Sequence, residues 1–257
     1  MSNKKFLGGK DSNAYIVFYS AVMVIIVAVL LAFTSLSLKE KQYNNELNEK
    51  KDAIVASLGL EKGSYDSVIT EYVVNNNGES VRTLVNKKNE VISEGDEKWK
   101  EVIFEKLGNL AGAYKDNLLI VFENKATGEI VLPVTGKGLW GDIWGYVALG
   151  ADLNTIKGVI FDHAGETPGL GAEIATPKYQ AQFPGKTVYE GSQLVGIAVV
   201  KGGAKEGDNH AVDAVTGGTK TSIGLENMIK DCLGCYDAFI MARTAVAFEL
   251  VSTENAE

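Results

Sequence analysis

The sequence predicts an α+β protein, in which a single N-terminal transmembrane helix precedes one extracytoplasmic domain of antiparallel sheet and helices. Three observations support this prediction: a long uncharged run near the N-terminus, a series of short apolar segments separated by turn residues, and a helix-like segment near the C-terminus. Of the 257 residues, 46% are hydrophobic and 23% are charged, which is ordinary for a globular protein.

The first element is the run AYIVFYSAVMVIIVAVLLAFTSL at residues 14–36, which contains no charged residue and no proline. At about 1.5 Å per residue, a helix of this length spans a hydrocarbon core of roughly 30 Å. A cleaved signal peptide is the alternative, but its apolar part is usually only about 7–15 residues long. We therefore assign residues 1–13 to a cytoplasmic tail, 14–38 to the transmembrane helix and 39–257 to the extracytoplasmic domain. The flanking lysines favour this orientation only weakly.

The segment after the membrane helix is predicted to be a helical stalk over residues 39–58. Its apolar side chains recur at roughly helical intervals among charged ones, and Gly59 ends the pattern. Residues 81–91 are a polar, strand-like stretch, and residues 97–107 predict a short amphipathic helix. The apolar face of that helix consists of Trp99, Ile103 and Leu107.

Strands dominate the next part of the chain. Two β-hairpins are predicted, with arms at 118–122 and 129–132 and at 143–149 and 156–161. A short helix is predicted over residues 177–183, and the apolar run at 194–200 predicts a further strand. Because the strands follow one another through short turns, we expect an antiparallel sheet.

Composition argues against several classes of function. The formal net charge is −8, and no cluster of lysine and arginine is present that would neutralise the phosphates of a nucleic acid. Cys232 and Cys235 form one CxxC, which supplies too few ligands for a structural zinc and lacks the histidine of a c-type haem attachment. A redox-active pair, a disulfide and two buried thiols remain open for them. His163 and His210 lack acidic neighbours at ligand spacing, so we predict neither a metal site nor a catalytic pair.

Glycine is concentrated in four segments beyond what turns alone require. These segments are residues 135–141, 163–171, 201–203 and 216–222. Glycine permits positive φ and a close approach of backbone amides to a ligand, although tight loops at strand ends are the simpler explanation for any one segment. The sequence GGTKTS also resembles a phosphate-binding P-loop, but Thr219 stands where that motif requires glycine, and no apolar strand precedes it.

A family resemblance rests on these same segments. The stretch DAVTGGT from Asp213 to Thr219, read with Thr221 and Ser222, is similar to the D-x-x-[ST]-G-A-T-x-[ST] pattern of FMN-binding domains that are flavinylated through a threonine. The blocks GKGLWGDIWGYVAL, HAGETPGLGAEI and KGGAKEGDNHAVDAVTGGTKTS resemble the NqrC family, whose members belong to the Na⁺-translocating NADH:quinone reductases. The RnfG proteins of the related Rnf complex share the threonine motif, but the KGLW and HAGETPGLG blocks favour NqrC. One departure is Gly218, where the motif usually has alanine.

The resemblance implies a covalent FMN whose phosphate is esterified to the hydroxyl of Thr219, with Thr221 as the alternative acceptor. Asp213 is expected to orient the loop or to hold a divalent metal of the flavin transferase, with a simple turn cap as the alternative. Lys201 and Lys220 are expected to balance the phosphate charge, with ordinary solvated lysines as the alternative. The remaining residues of the predicted phosphate loop are Thr216, Gly217, Gly218, Ser222 and Gly202. The hydroxyl groups are alternatively simple helix N-caps.

A second group of residues is expected at the flavin ring. Leu139 and Trp140 offer apolar walls to the isoalloxazine, which has a large flat apolar face. Glu166, Thr167 and Leu170 are expected to form hydrogen bonds to the ring or to pack on it. A tryptophan within the protein core is the alternative interpretation of Trp140.

The resemblance implies an electron carrier in the bacterial inner membrane with its domain on the periplasmic side. Its FMN would relay electrons between partner subunits of a complex that oxidises NADH, reduces quinone and exports Na⁺. Membrane lipid and a maturing flavin transferase are the other expected partners. The chain has no G-x-G-x-x-G fingerprint after a strand, so we expect no NADH oxidation by it alone. The alternatives are a stand-alone membrane flavoreductase and a structural subunit without flavin.

Overall fold

A computed structural model of the chain describes residues 13–254; residues 1–12 of the predicted cytoplasmic tail lie outside the described part. Its helices are α1 (Asn13–Ser57), α2 (Tyr65–Val68), α3 (Trp99–Leu107), α4 (Leu110–Lys115), α5 (Pro177–Gln180) and α6 (Thr219–Glu254). Its strands are β1 (Ile69–Val74), β2 (Thr83–Val85), β3 (Val91–Ser93), β4 (Leu119–Asn124), β5 (Ile130–Lys137), β6 (Asp142–Leu149), β7 (Ile156–His163), β8 (Tyr189–Glu190), β9 (Gln193–Leu194), β10 (Ala198–Val200) and β11 (Ala211–Asp213). A short 3₁₀ helix covers Gly171–Ala175.

The chain divides into two compact units between Glu49 and Lys50. Within the described residues, one helix is long and apolar enough to cross a membrane, and its apolar side chains, such as Leu30 and Phe33, are exposed. Helix α1 covers both the predicted transmembrane segment and the predicted stalk. The assignment of residues 14–38 to the membrane and the domain limits stay predictions.

The second unit contains a five-stranded sheet of order β1-β4-β5-β6-β7, in which every neighbouring pair is antiparallel. Both predicted hairpins, β4–β5 and β6–β7, are confirmed. Helix α6 packs on the sheet with the buried side chains of Leu225, Ile229 and Leu233, and the Tyr236 hydroxyl donates a 2.8 Å hydrogen bond to the carbonyl of Ile120. The predicted amphipathic helix is also confirmed as α3, since its three predicted face residues are buried.

Two predicted strands are wrong as continuous elements. Residues 194–200 divide into β9 and β10, because the amides of Val195 and Gly196 both donate to the carbonyl of Val188 and Gly196 has a φ of +71°. The chain therefore turns there, and β10 pairs in parallel with β11 instead of continuing β9. Residues 81–91 likewise contain a turn, at which Asn89 has a φ of +59°, between β2 and β3.

The cysteine pair lies within α6, which continues past Gly234 to Glu254. Both thiols are free, which does not support the disulfide alternative. The Cys232 thiol is buried and donates to the carbonyl of Thr135 at 3.3 Å, whereas Cys235 is half-buried. Burial raises the pKa of Cys232 to about 11 and raises that of Cys235 as well.

Candidate functional site

Close packing between α6 and the β5–β6 turn positions the candidate site. A Cβ added to Gly136 would lie 2.7 Å from the Cβ of Met228, and one added to Gly224 would overlap the carbonyl oxygen of Lys137. Glycine at these two positions therefore lets the helix lie directly on the strand end. The first turn of α6 and the turn at residues 138–141 are held side by side as a result.

The loop before α6 is closed by its own hydrogen bonds. The amide of Val215 donates to Ser222 Oγ at 3.0 Å, and the amide of Gly218 donates to the carbonyl of Val215 at 3.0 Å. Gly217 has a φ of +76°, a conformation that favours glycine. The first i to i−4 bond of the helix runs from the amide of Ser222 to the carbonyl of Gly218. The amides of residues 219–221 therefore belong to the free N-terminal donors of α6, at the positive end of the helix dipole.

The four hydroxyl groups of this loop have different environments. Thr221 and Ser222 are only 1% and 2% exposed, and both make protein hydrogen bonds. Thr216 and Thr219 are exposed. Of the two threonines with exposed side chains, Thr219 is the first residue of α6. The structure thus separates two structural hydroxyls from two that face solvent.

Glu166 connects the three glycine-rich segments around α6. It is 4% exposed, and its carboxylate accepts a 2.6 Å hydrogen bond from the Thr221 hydroxyl and a 2.8 Å bond from the amide of Trp140. Burial alone would raise the pKa of Glu166, but the hydrogen bonds from Thr221 and the amides of Trp140 and Leu139, with nearby His163, together lower it. The carboxylate is therefore charged in the folded protein at neutral pH.

Large apolar side chains surround the start of α6 at the surface. Trp140 is 69% exposed and Leu139 is 54% exposed, so Trp140 is not a core residue. Leu170 is also exposed, and its Cδ2 atom lies 2.5 Å from where a Cβ on Gly217 would be. Ile223, at the start of the second turn of α6, is exposed as well. Exposed apolar groups grouped in this way are typical of a binding surface.

Asp213 is engaged with a neighbouring loop. Its Oδ1 atom accepts a 2.8 Å hydrogen bond from the amide of Ala204, and its own amide donates to Gln182 at 2.9 Å. These bonds fix the turn that contains Lys201 and Gly202, where Gly202 has a φ of +88°. Among the described residues, no group of three or more His, Cys, Asp or Glu side chains is arranged to hold a metal ion.

Several site features were not foreseen from the sequence. A Cβ on either Gly138 or Gly171 would overlap the carboxylate of Glu166, so these two glycines form the space that the carboxylate fills. His163 Nδ1 accepts a 3.2 Å hydrogen bond from the amide of Glu166 and so helps to hold the same loop. Thr167 is exposed, and its carbonyl accepts bonds from two later amides of the same loop. In the sequence, these two glycines are marked by the G-x-G spacing of Gly136 with Gly138 and of Gly169 with Gly171.

Comparison with known proteins agrees with this geometry. The chain is 32% identical over 235 residues to NqrC of the Na⁺-translocating NADH-quinone reductase from Neisseria meningitidis, and the match covers 87% of this chain and 90% of the relative. The chain belongs to the NqrC family. The NqrC of Pasteurella multocida is 46% identical over 106 residues, which is 41% of this chain and 40% of that relative. A family model described as an FMN-binding domain matches residues 138–234.

A solved structure supports both fold and family. The crystal structure of NqrC from Parabacteroides distasonis is 33% identical, with a TM-score of 0.66, and the match covers 79% of this chain and 96% of that chain. The α+β prediction is confirmed, and so is FMN as the cofactor of this domain. Family membership together with the N-terminal apolar helix makes this chain a membrane-anchored part of an oxidoreductase complex. It also favours NqrC over the Rnf alternative.

Proposed function

We propose that this chain is the electron-transfer subunit of a Na⁺-translocating NADH:quinone reductase, and that it carries FMN as a phosphoester on Thr219. The observation that supports this attachment site is the difference in exposure among the hydroxyl groups of the loop. Thr219 is exposed on the first residue of α6, whereas Thr221 is buried and already donates to Glu166. A buried, hydrogen-bonded hydroxyl is a poor acceptor for a group that another enzyme must deliver.

Position on the helix separates Thr219 from the other exposed hydroxyl, Thr216. The amides of residues 219–221 precede the first helical hydrogen bond, so they are available as donors to an anion at the helix start. A phosphate on Thr219 would lie beside these donors and the positive end of the helix dipole. The exposed side chains of Lys201 and Lys220 are expected to add positive charge around it.

The surface around Thr219 fits a flavin ring. Leu139, Trp140, Leu170 and Ile223 present apolar area that is otherwise unfavourable to expose, and an isoalloxazine would cover part of it. Gly217 has no side chain that would overlap Leu170, so Leu170 can lie directly against the phosphate loop. When bound, FMN supplies the redox chemistry, while these residues orient the ring and exclude water from one face.

The partners follow from this role. The electron donor and acceptor would be other subunits of the complex, which meet an exposed flavin edge near Trp140. A flavin transferase would install the cofactor on the exposed Thr219 after the chain has folded. We place the domain on the periplasmic side of the inner membrane, and the helix within Asn13–Ser57 anchors it in the lipid.

Attachment is tested by intact mass after denaturation of the full chain co-expressed with a flavin transferase. The wild type is expected to gain the mass of FMN less one water, and Thr219→Ala is expected to lose this adduct. Thr216→Ala is the matched control and should retain it. A wild type without added mass contradicts the proposal, and an adduct retained in Thr219→Ala moves the site.

The role as a carrier is tested with the purified, flavin-loaded chain under anaerobic conditions. NADH alone should leave the flavin absorbance unchanged, whereas a chemical reductant should bleach it and a quinone should restore it. Steady NADH oxidation by the chain alone would identify it as a flavoreductase instead.

Orientation is tested separately by cysteine labelling in a Cys232→Ser, Cys235→Ser background. A cysteine introduced at the exposed residue Glu206 should react with a membrane-impermeant maleimide in intact cells with a permeabilised outer membrane. Labelling only after the inner membrane is opened would place the domain in the cytoplasm.

A further inference from the structure

Glu166 occupies a position that ties the modified helix to the aromatic side of the site. One carboxylate oxygen accepts the hydroxyl of Thr221, two residues after Thr219, and the other accepts the amide of Trp140. The two bonds link segments that are far apart in sequence, since Thr221 lies 55 residues from Glu166 and Trp140 lies 26 residues from it. One side chain therefore sets the spacing between the helix start and the β5–β6 turn.

The space around this carboxylate is built to its size. A Cβ added to Gly138 would overlap one carboxylate oxygen of Glu166, and a Cβ added to Gly171 would overlap the other. The Cβ added to Gly171 would also overlap the Thr221 hydroxyl. The side chain is 4% exposed and both oxygens have donors. A side chain at either glycine would therefore occupy the space that the carboxylate fills.

Stability alone does not account for such an arrangement. A buried carboxylate gains little net stability over an apolar group of similar size, because its desolvation offsets much of its hydrogen-bond energy. What directional hydrogen bonds do supply is a fixed geometry for the groups that they join. At this site the joined groups lie directly beside Thr219 on one side and carry the exposed indole of Trp140 on the other.

We propose that Glu166 is a positioning residue for the modification at Thr219. It acts through Thr221 and the amide of Trp140, and it holds the acceptor hydroxyl and the ring-binding surface in register before the flavin arrives. This inference rests on the proposed attachment of FMN to Thr219. Glu166 itself forms no bond with the transferred group and takes no part in the transfer chemistry.

Hydrogen-bonding chemistry supplies a discriminating pair of variants. A carboxylate only accepts, so Thr221 must donate to it. In Glu166→Gln the amide oxygen would still accept from Trp140, and the amide NH₂ would donate to Thr221, whose hydroxyl would become the acceptor. Glu166→Gln therefore keeps both links without the charge, whereas Glu166→Ala removes both links.

The test is the fraction of full-length chain that carries the FMN adduct, followed by intact mass over time after induction with a limiting amount of flavin transferase. Glu166→Gln is expected to be modified within threefold of the wild-type rate. Glu166→Ala and Thr221→Val are each expected to be at least tenfold slower. The Glu166→Ala, Thr221→Val double variant should be no slower than the slower single variant, because both changes remove the same link.

Glu226→Ala is the matched control. Like Glu166, Glu226 has a carboxylate that accepts a hydrogen bond from a backbone amide, in this case that of Val199 at 2.8 Å. Glu226 lies on α6 beyond the first turn of the helix. Its removal is expected to leave the modification rate within threefold of wild type. Thermal unfolding of every variant shows which of them are folded. If Glu166→Ala does not fold, the modification rates of Thr221→Val and Glu166→Gln test the inference.

Four outcomes overturn the inference alone: a wild-type rate in Glu166→Ala, a wild-type rate in Thr221→Val, a Glu166→Gln variant as slow as Glu166→Ala, or an equally slow Glu226→Ala control. In each of these cases the wild-type chain still acquires its adduct. A wild-type chain that acquires none overturns the proposed function first and this inference with it.

Discussion

The hydroxyl of Ser222 accepts a 3.0 Å hydrogen bond from the backbone amide of Val215, seven residues earlier in the chain. Both residues are buried. This bond closes the loop that presents Thr219, so the serine caps the loop from within the helix. The motif therefore contains a structural hydroxyl whose role differs from that of its exposed neighbour.

We expect Ser222→Ala to destabilise the domain by about 1–3 kcal/mol, because the buried amide of Val215 would lose its acceptor. Thr219→Ala removes an exposed hydroxyl and should change stability by less than about 0.5 kcal/mol. Urea unfolding of the full chain in detergent, followed by tryptophan fluorescence, measures both. Equal losses in the two variants would contradict the assignment of separate roles.

The adjacent glycines of the motif give a second prediction. Gly217 has a φ of +76°, and a Cβ there would lie 2.5 Å from the Cδ2 of Leu170, so Gly217→Ala is expected to cost about 1–3 kcal/mol. Gly218 has no positive φ, and its added Cβ would lie 3.0 Å from Val215 Cγ1, 3.1 Å from Val215 Cβ and 3.3 Å from the Cα of Gly171, contacts that a shift of a few tenths of an ångström would relieve.

Gly218→Ala restores the alanine that the family motif usually has, so it should change stability by less than about 1 kcal/mol. It should also be flavinylated like the wild type. Thermal unfolding and intact mass of the two variants test the pair. A Gly218→Ala variant as unstable as Gly217→Ala would show that this loop cannot accept the usual motif.

Sequence reasoning succeeded where local patterns decide the structure. The turn at residues 124–128 lies between two apolar runs, and this order is enough to predict the β4–β5 hairpin. The prediction of one continuous strand at 194–200 was wrong, because the amides of Val195 and Gly196 donate to the carbonyl of Val188 and form a turn. The apolar composition of the run gives no sign of these bonds. Local propensity is a weak guide when a distant backbone group competes for the same amides.

The candidate site was predictable only in part for a similar reason. The motif identified the loop and Thr219, and the glycine-rich blocks named the segments that meet there. The burial of Glu166 between Gly138 and Gly171 depends on three segments folding together, so no local pattern encodes it. No motif in the sequence includes Ile223, and only its exposure beside the site makes it a candidate contact.

The ion pair between Arg243 and Glu123 predicts a pH dependence of stability. The hydrogen bonds from Arg243, opposed by partial burial and aided by the Tyr72 hydroxyl, lower the pKa of Glu123. In the unfolded chain the pKa of a glutamate is about 4.3. Because the folded value is lower, the contribution of Glu123 is fully present above the unfolded pKa and is lost as the pH falls through the folded one.

We therefore expect Glu123→Gln to be less stable than the wild type at pH 7, by about 1 kcal/mol for this partly exposed pair. The difference should shrink as the pH falls below roughly 4. Urea midpoints of both proteins from pH 7 to pH 3 measure it. A difference that is constant across this range would mean that the charge of Glu123 contributes nothing.

The cysteine pair is predicted to be unreactive in the folded protein. The Cys232 thiol is buried and bonded to Thr135, and its pKa of about 11 leaves at least about a hundredfold less thiolate at pH 7.5 than an ordinary thiol. Iodoacetamide should therefore modify the native chain slowly, at Cys235 before Cys232, whereas the denatured chain should react quickly at both. Intact mass over time distinguishes these states. Rapid double modification of the native chain, or loss of two hydrogens on mild oxidation, would instead establish a redox-active CxxC.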